Sequence, residues 1–130
     1  MSKWTEEQLL AINSEGKNII VSAGAGSGKT AVLSERVLRK INDNVPINRL
    51  LILTFTNEAA KEMKDRIRKK LINEKKMEQL SLLEESYITT FDSYSLSIVK
   101  KYHYLLNVSK DIKIIDDTII SNIKDKFIDE

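Results

Sequence analysis

The sequence predicts an α/β domain in which a parallel sheet is flanked by helices, and three features carry that expectation. Two short, continuous apolar runs, Asn18–Ser22 and Leu50–Phe55, read as buried strands. The unbroken Leu-Leu-Ile-Leu stretch of the second suits a parallel sheet covered on both faces. Each run is followed by a helical pattern, and Tyr87–Thr90 supplies a third short strand, so the order is strand, helix, strand, helix, strand. Between the first strand and its helix, residues 23–30 read Ala-Gly-Ala-Gly-Ser-Gly-Lys-Thr.

The elements follow in order. Thr5-Glu6-Glu7-Gln8 is a capping-box pattern that opens a short helix ending near Gly16. Asn18–Ser22 is expected to lie beside Leu51–Thr54 in one sheet. The helix from Lys29 to about Asn42 carries Val32, Leu33, Val37, Leu38 and Ile41 as its apolar stripe. Asn42 to Pro46 is a loop. Asn57 is placed to cap a long helix in which Ala60, Met63, Ile67 and Leu71 recur at helical spacing. A weaker helix covers Met77–Glu84, and another runs from Ser93 to about Leu106. Ile112–Ile115 is a strand or an extended segment. Ile119, Ile120, Ile123, Phe127 and Ile128 form one face of a last helix. That stripe reaches the C-terminus without a cap signal, so the chain is expected to be the N-terminal piece of a larger protein. A complete small domain that uses the stripe in a dimer is the alternative.

The chemistry concentrates at Ala23–Thr30. Glycines let successive backbone N–H groups turn inward on a polyphosphate, Lys29 adds a point charge, and the Thr30 hydroxyl can ligate Mg²⁺. The helix that follows aims its positive end at the same anion. Ala23 stands where the usual pattern has glycine, a departure of one methyl group. A flexible Gly/Ser linker is the plain alternative, but linkers rarely finish in Gly-Lys-Thr between a strand and a helix.

Composition narrows the rest. A chain that is 42% hydrophobic and 31% charged, with one proline, has the make-up of a soluble globular domain. No stretch approaches the roughly 20 apolar residues of a membrane span, and the first residues lack a signal peptide's apolar core, so a cytoplasmic location with no membrane partner is expected. Without cysteine there are no disulfides or thiolate metal sites, and a single histidine, His103, makes a His-rich site impossible. His103 reads as surface or structural. The net charge of +2 says little, but residues 61–76 hold eight basic against three acidic side chains. Such a run is either a footprint for a phosphate backbone or the solvated face of an amphipathic helix; charge alone favours the second.

Three further stretches occur in the order found in one family. Trp4-Thr5-Glu6-Glu7-Gln8 resembles the glutamine motif of superfamily 1 helicases of the UvrD/Rep type. Leu53 to Met63 (Leu-Thr-Phe-Thr-Asn-Glu-Ala-Ala-Lys-Glu-Met) is similar to that family's motif Ia, and Thr89-Thr90-Phe91-Asp92-Ser93 to its motif Ib. The Trp-Thr opening and the Ala31–Arg36 stretch resemble the AddA branch, the helicase–nuclease component of bacterial double-strand-break repair complexes. Ala31 replaces an arginine common in other branches.

The resemblance implies a partial RecA-like P-loop NTPase fold. Residues 1–108 would be the N-terminal part of the first ATP-binding domain, and 109–130 the truncated start of an inserted helical subdomain. It implies ATP and Mg²⁺ as ligands, with Gln8, Ala23, Gly24, Ala25, Gly26, Ser27, Gly28, Lys29 and Thr30 as the nucleotide site. Lys29 and Thr30 are then the catalytic pair, and Thr30 is the metal ligand. Gln8 offers a donor and an acceptor in one plane, as reading adenine requires, although completing the capping box is an equal use for it. Phe55 by itself reads as core; with the resemblance it becomes a stacking platform for single-stranded DNA, joined by Thr56, Asn57, Thr90 and Ser93 on phosphates. Implied partners are single- and double-stranded DNA, the rest of the same polypeptide and an AddB-like second subunit. The whole would be an ATP-dependent DNA helicase in break repair and recombination, the fragment binding nucleotide without hydrolysing it.

Asp92 stands where that family has histidine, and a helix cap is the expected role. Ile112–Asp117 has the outline of a Walker B strand, with Asp116 near the metal and Asp117 as base, but Lys113 breaks the apolar run. The resemblance makes it the entrance to the inserted subdomain. A self-contained P-loop nucleotide-binding module, or a small-molecule kinase with Lys61–Lys76 as its lid, are the competing functions.

Overall fold

Threonine starts three of the five α-helices among the residues that the computed structural model describes, 4–16, 18–115, 119, 120 and 124. In α1 (Glu6–Asn13) the capping box is complete. The Gln8 N–H donates to Thr5 Oγ1 at 3.2 Å, and the Thr5 N–H donates to Gln8 Oε1 at 3.0 Å. In α3 (Asn57–Asn73) the cap is Thr56, whose hydroxyl accepts from the Ala59 N–H at 3.1 Å. Asn57, expected as the cap, is already the first helical residue. A cap must keep an extended backbone, and Thr56 has it (φ −124°, ψ 154°). The same holds for α5 (Phe91–Lys101), where Thr90 accepts from the Ser93 N–H at 3.2 Å. Asp92 is therefore not the cap; it sits in the first turn, where its charge complements the helix dipole.

Between these lie α2 (Lys29–Asn42), a 3₁₀ turn at Ile47–Arg49, β1 (Leu51–Thr54), α4 (Met77–Glu84) and β2 (Tyr87–Thr90), with a second 3₁₀ turn at His103–Leu105. The described residues form two compact units that divide between Thr89 and Thr90. In the first, β1 and β2 pair in parallel as a two-stranded sheet. Ile52 and Ile88 bury one face of it together with Val37, Leu38 and Ile41 of α2, Met63, Ile67 and Leu71 of α3, and Leu83 of α4. Three of the expected α2 stripe residues are thus core, whereas Leu33 is exposed. In the second unit α5 is followed by the 3₁₀ turn, which His103 closes by placing Nδ1 3.1 Å from the Val108 carbonyl oxygen.

One expected strand is missing. Residues 18–22 have no regular structure, and Ile19, Ile20 and Val21 are 40%, 95% and 54% exposed. A strand exists only where a neighbour completes its ladder, and β-branched composition without that neighbour does not make one. Among the described residues the sheet contains β1 and β2 alone. Ile112–Ile115 likewise has no regular structure, and α5 ends at Lys101 rather than near Leu106. Asp116 and Asp117, with most of the last expected helix, lie outside the described residues; Ile119, Ile120 and Lys124 are helical.

Four of the eight basic residues in the run pair with neighbouring acids. Lys64 and Arg68 of α3 both hold Glu84 of α4, at 3.0 and 2.6 Å. Arg68 also meets Asp65, Arg66 meets Glu62, and Lys70 pairs with Glu35 of α2. The hydrogen bond from Arg68, then that from Lys64, holds the Glu84 carboxyl below its ordinary value, and the same bond raises Arg68. A carboxyl with a lowered folded-state pKa stabilises the fold above its unfolded value and loses that contribution as pH falls through the folded one. Glu84 is exposed and Arg68 partly so, and the contribution is small and salt-screened. The denaturation midpoint of Glu84→Gln should accordingly lie below that of the parent at neutral pH. The gap should close as pH drops below the ordinary glutamate value of 4.5.

Candidate functional site

The loop between residue 22 and α2 takes its shape from two glycines in the left-handed region, Gly26 (φ 74°) and Gly28 (φ 80°), where a side chain would be strained. The Ser27 N–H reaches the Gly24 carbonyl at 3.4 Å and closes a turn. Gly28 is also the N-cap of α2, and it brings no side-chain cap. The first helical bond runs from Val32 N–H to the Gly28 carbonyl at 2.9 Å, so the N–H groups of Lys29, Thr30 and Ala31 precede the ladder. Among the five described α-helices, α2 alone has no acidic residue in its first turn. Its positive end is left for an external anion rather than for its own side chains.

Lys29 folds back over the loop. Its ammonium donates to the carbonyls of Ala23 (3.1 Å) and Gly24 (2.6 Å). Gln8 approaches from α1 and donates through Nε2 to the Ser27 carbonyl at 3.1 Å. Behind this contact, Arg36 of α2 donates to the carbonyls of Ala11 (2.8 Å) and Ile12 (3.1 Å) at the end of α1, and Arg39 bonds Asn13. Between α1 and the loop is a cleft of 470 Å³, within the range that holds small-molecule ligands.

Of the expected nucleotide residues, Gln8, Ala23, Gly24, Ser27 and Lys29 line this cleft; Ala25, Gly26, Gly28 and Thr30 do not. Thr5, Glu7, Ala11, Val21, Ser22 and Val32 line it as well. Thr5 and Glu7 belong to the stretch that resembles the glutamine motif, and Ala11 is a turn after Gln8 on the same face of α1. A Cβ added at Gly24 or Gly26 meets nothing within 4 Å, so the space beside the loop is open. Amide donors, an ammonium and a hydroxyl together form a donor set suited to phosphate oxygens and, at Thr30, to a hard cation.

The remaining expected site residues are not part of the cleft lining. Phe55 directly follows β1 and is 94% exposed, which removes it from the core. Thr56 is committed as the α3 cap, and Asn57 is exposed at the first helical position. In the second unit, the Thr90 hydroxyl donates to Ser93 Oγ at 2.9 Å and Thr90 is buried. No described helix is long and apolar enough to cross a membrane.

Residues 4–129 match the family described as UvrD/REP helicase N-terminal domain. The chain belongs to this family. Among curated proteins it is similar to the AddA-type ATP-dependent helicase/nuclease of Geobacillus thermodenitrificans, 44% identical over 140 residues that cover 99% of this chain and 11% of the relative. The proteins of the same description from Heliobacterium modesticaldum (42% over 136 residues; 98% of this chain, 10% of the relative) and Thermoanaerobacter sp. (45% over 128 residues; 90% and 10%) are similar too. The chain therefore spans about a tenth of the length of the relatives it matches.

In this family member the exposure of Phe55 makes a direct prediction about stability. Phe55→Ala should shift the urea denaturation free energy by less than about 1 kcal/mol, as surface substitutions do, whereas a core phenylalanine would cost about 3–5 kcal/mol.

Proposed function

We propose that this chain is the ATP-binding N-terminal part of the first RecA-like domain of an ATP-dependent DNA helicase. In this reading residues 1–108 belong to that domain and 109–130 open an inserted helical subdomain. The observation that carries the reading is the convergence of Gln8, the Ser27 carbonyl and the Lys29 ammonium on one cleft, at the start of a helix whose first turn has no acid. Family membership and the likeness to proteins described as ATP-dependent support it.

The amides of the Ala23–Gly28 loop and of the first turn of α2 would take the phosphates, and the Lys29 ammonium would exchange its two carbonyl partners for phosphate oxygens. Thr30 would supply a hydroxyl to Mg²⁺, which when bound neutralises phosphate charge. Gln8 would meet the base. Turnover requires further charged groups to position water and stabilise the transferred phosphoryl group. The charged residues lining this cleft are Glu7 and Lys29, so ATP should bind here without being hydrolysed by the 130-residue chain. Phe55 would stack an unpaired base, with Thr56, Asn57, Thr90 and Ser93 toward the backbone. The partners proposed are DNA, the rest of a longer polypeptide and a second, AddB-like protein, in the cytoplasm.

Removing the Lys29 charge tests the nucleotide reading. Calorimetric titration with Mg-ATP should show Lys29→Ala binding at least tenfold more weakly, given about 1.5–3 kcal/mol for a hydrogen bond to a charged group. Equal affinity of the two proteins would reject phosphate binding at this loop. The DNA reading is tested separately by fluorescence anisotropy with a single-stranded oligonucleotide. Phe55→Ala should lose about 1–3 kcal/mol of binding, and the affinity should fall with added salt. Steady ATP turnover by the chain alone, stimulated by the oligonucleotide, would contradict the proposed division of labour.

A further inference from the structure

We propose that Gln8 is a positioning residue for the phosphate loop, acting on phosphate affinity whether or not the ligand carries a base. The inference deepens the nucleotide reading and rests on it. It starts from the two ends of one carboxamide. Gln8 Oε1 accepts from the Thr5 N–H at 3.0 Å, which fixes the side chain against the start of α1. Nε2 then donates to the Ser27 carbonyl at 3.1 Å, across nineteen positions of sequence. Few conformations satisfy both bonds, so the side chain behaves as a strut between the helix and the loop.

The peptide that the strut grips is the one linking Ser27 to Gly28. In a planar trans peptide the carbonyl and the N–H point in opposite directions. Drawing the Ser27 carbonyl toward Gln8 therefore turns the Gly28 N–H away from it. Gly28 sits at φ 80°, a conformation glycine adopts no more readily than several others, so its own preference does not hold the peptide in place. The approach is also close: a Cβ at Gly28 would come to 3.3 Å from Gln8 Nε2. α1 is itself held to α2 by Arg36 on the Ala11 and Ile12 carbonyls, so the strut has a fixed base.

Gln8 retains one amide N–H and one oxygen lone pair beyond these two bonds. Contact with a base and support of the loop are thus compatible, and the second does not depend on the first. A ligand that has phosphates and no base separates them.

The test is calorimetric titration of the 130-residue chain with Mg²⁺–tripolyphosphate, comparing the parent with Gln8→Ala, Glu6→Ala and Lys29→Ala. Gln8→Ala should bind about three- to tenfold more weakly, the range expected for loss of one hydrogen bond. Glu6→Ala removes a first-turn acid from the start of α1, lies outside the cleft lining and keeps the Gln8 carboxamide, and should change affinity less than about twofold. If Gln8→Ala binds tripolyphosphate like the parent while Lys29→Ala does not, the phosphate site stands and the strut is rejected. If Glu6→Ala weakens binding as much as Gln8→Ala, the effect belongs to the helix start and the strut is again rejected. If the parent does not bind tripolyphosphate, or Lys29→Ala binds it equally well, both the strut and the underlying reading fall.

Discussion

The Ala23–Gly28 loop depends on how α1 is fastened to α2. An eight-residue helix is too short to persist by itself, so α1 needs its capping box at one end and a partner at the other. Arg36 supplies the partner. Its guanidinium takes the carbonyls of Ala11 and Ile12, two acceptors that a helix end would otherwise leave to solvent. Ile12 is buried. With α1 held, Gln8 faces Ser27, and the cleft has two walls.

The loop is suited to an anion through several independent local choices. Left-handed backbone is assigned to glycine at positions 26 and 28. The helix that follows is capped by a residue with no side-chain acceptor, and its first turn carries no carboxylate. The Lys29 ammonium rests on loop carbonyls. A charged phosphate oxygen would attract that ammonium more strongly than these neutral carbonyls do. Elsewhere, part of the positive charge of α3 is matched internally. Lys64 and Arg68 fasten α3 to α4 and Lys70 fastens it to α2, while Arg66–Glu62 and Arg68–Asp65 are pairs within α3.

Local signals in the sequence were legible where the physics is local. The Thr5–Gln8 box, the α3 stripe of Ala60, Met63, Ile67 and Leu71, and the bounds of α4 and β2 all follow from spacing and capping chemistry. Capping identity was less legible, because threonine and asparagine are adjacent at 56 and 57 and both are good caps; only the backbone angle separates them. The segment 18–22 shows the stronger limit. Its composition says that it can be buried, but a strand depends on a neighbour distant in sequence, and that information is absent from a short window. The bond from Gln8 to Ser27 was hidden for the same reason. The capping box explains Gln8 completely, so nothing local calls for a second use of its Nε2.

The missing strand bears on what the loop requires. The turn at Gly26–Gly28 and the start of α2 are set by backbone torsions and helix bonds within residues 23–32, and they form without a ladder at 18–22. The site is therefore anchored from its α1 and α2 sides. The most direct measurement is an amide-resolved NMR titration of the chain with Mg-ATP. The account predicts that the backbone amides of Gly24 to Ala31 and the side-chain amide of Gln8 shift together along one saturation curve. Saturating shifts confined to other parts of the chain, with the loop amides unmoved, would contradict it.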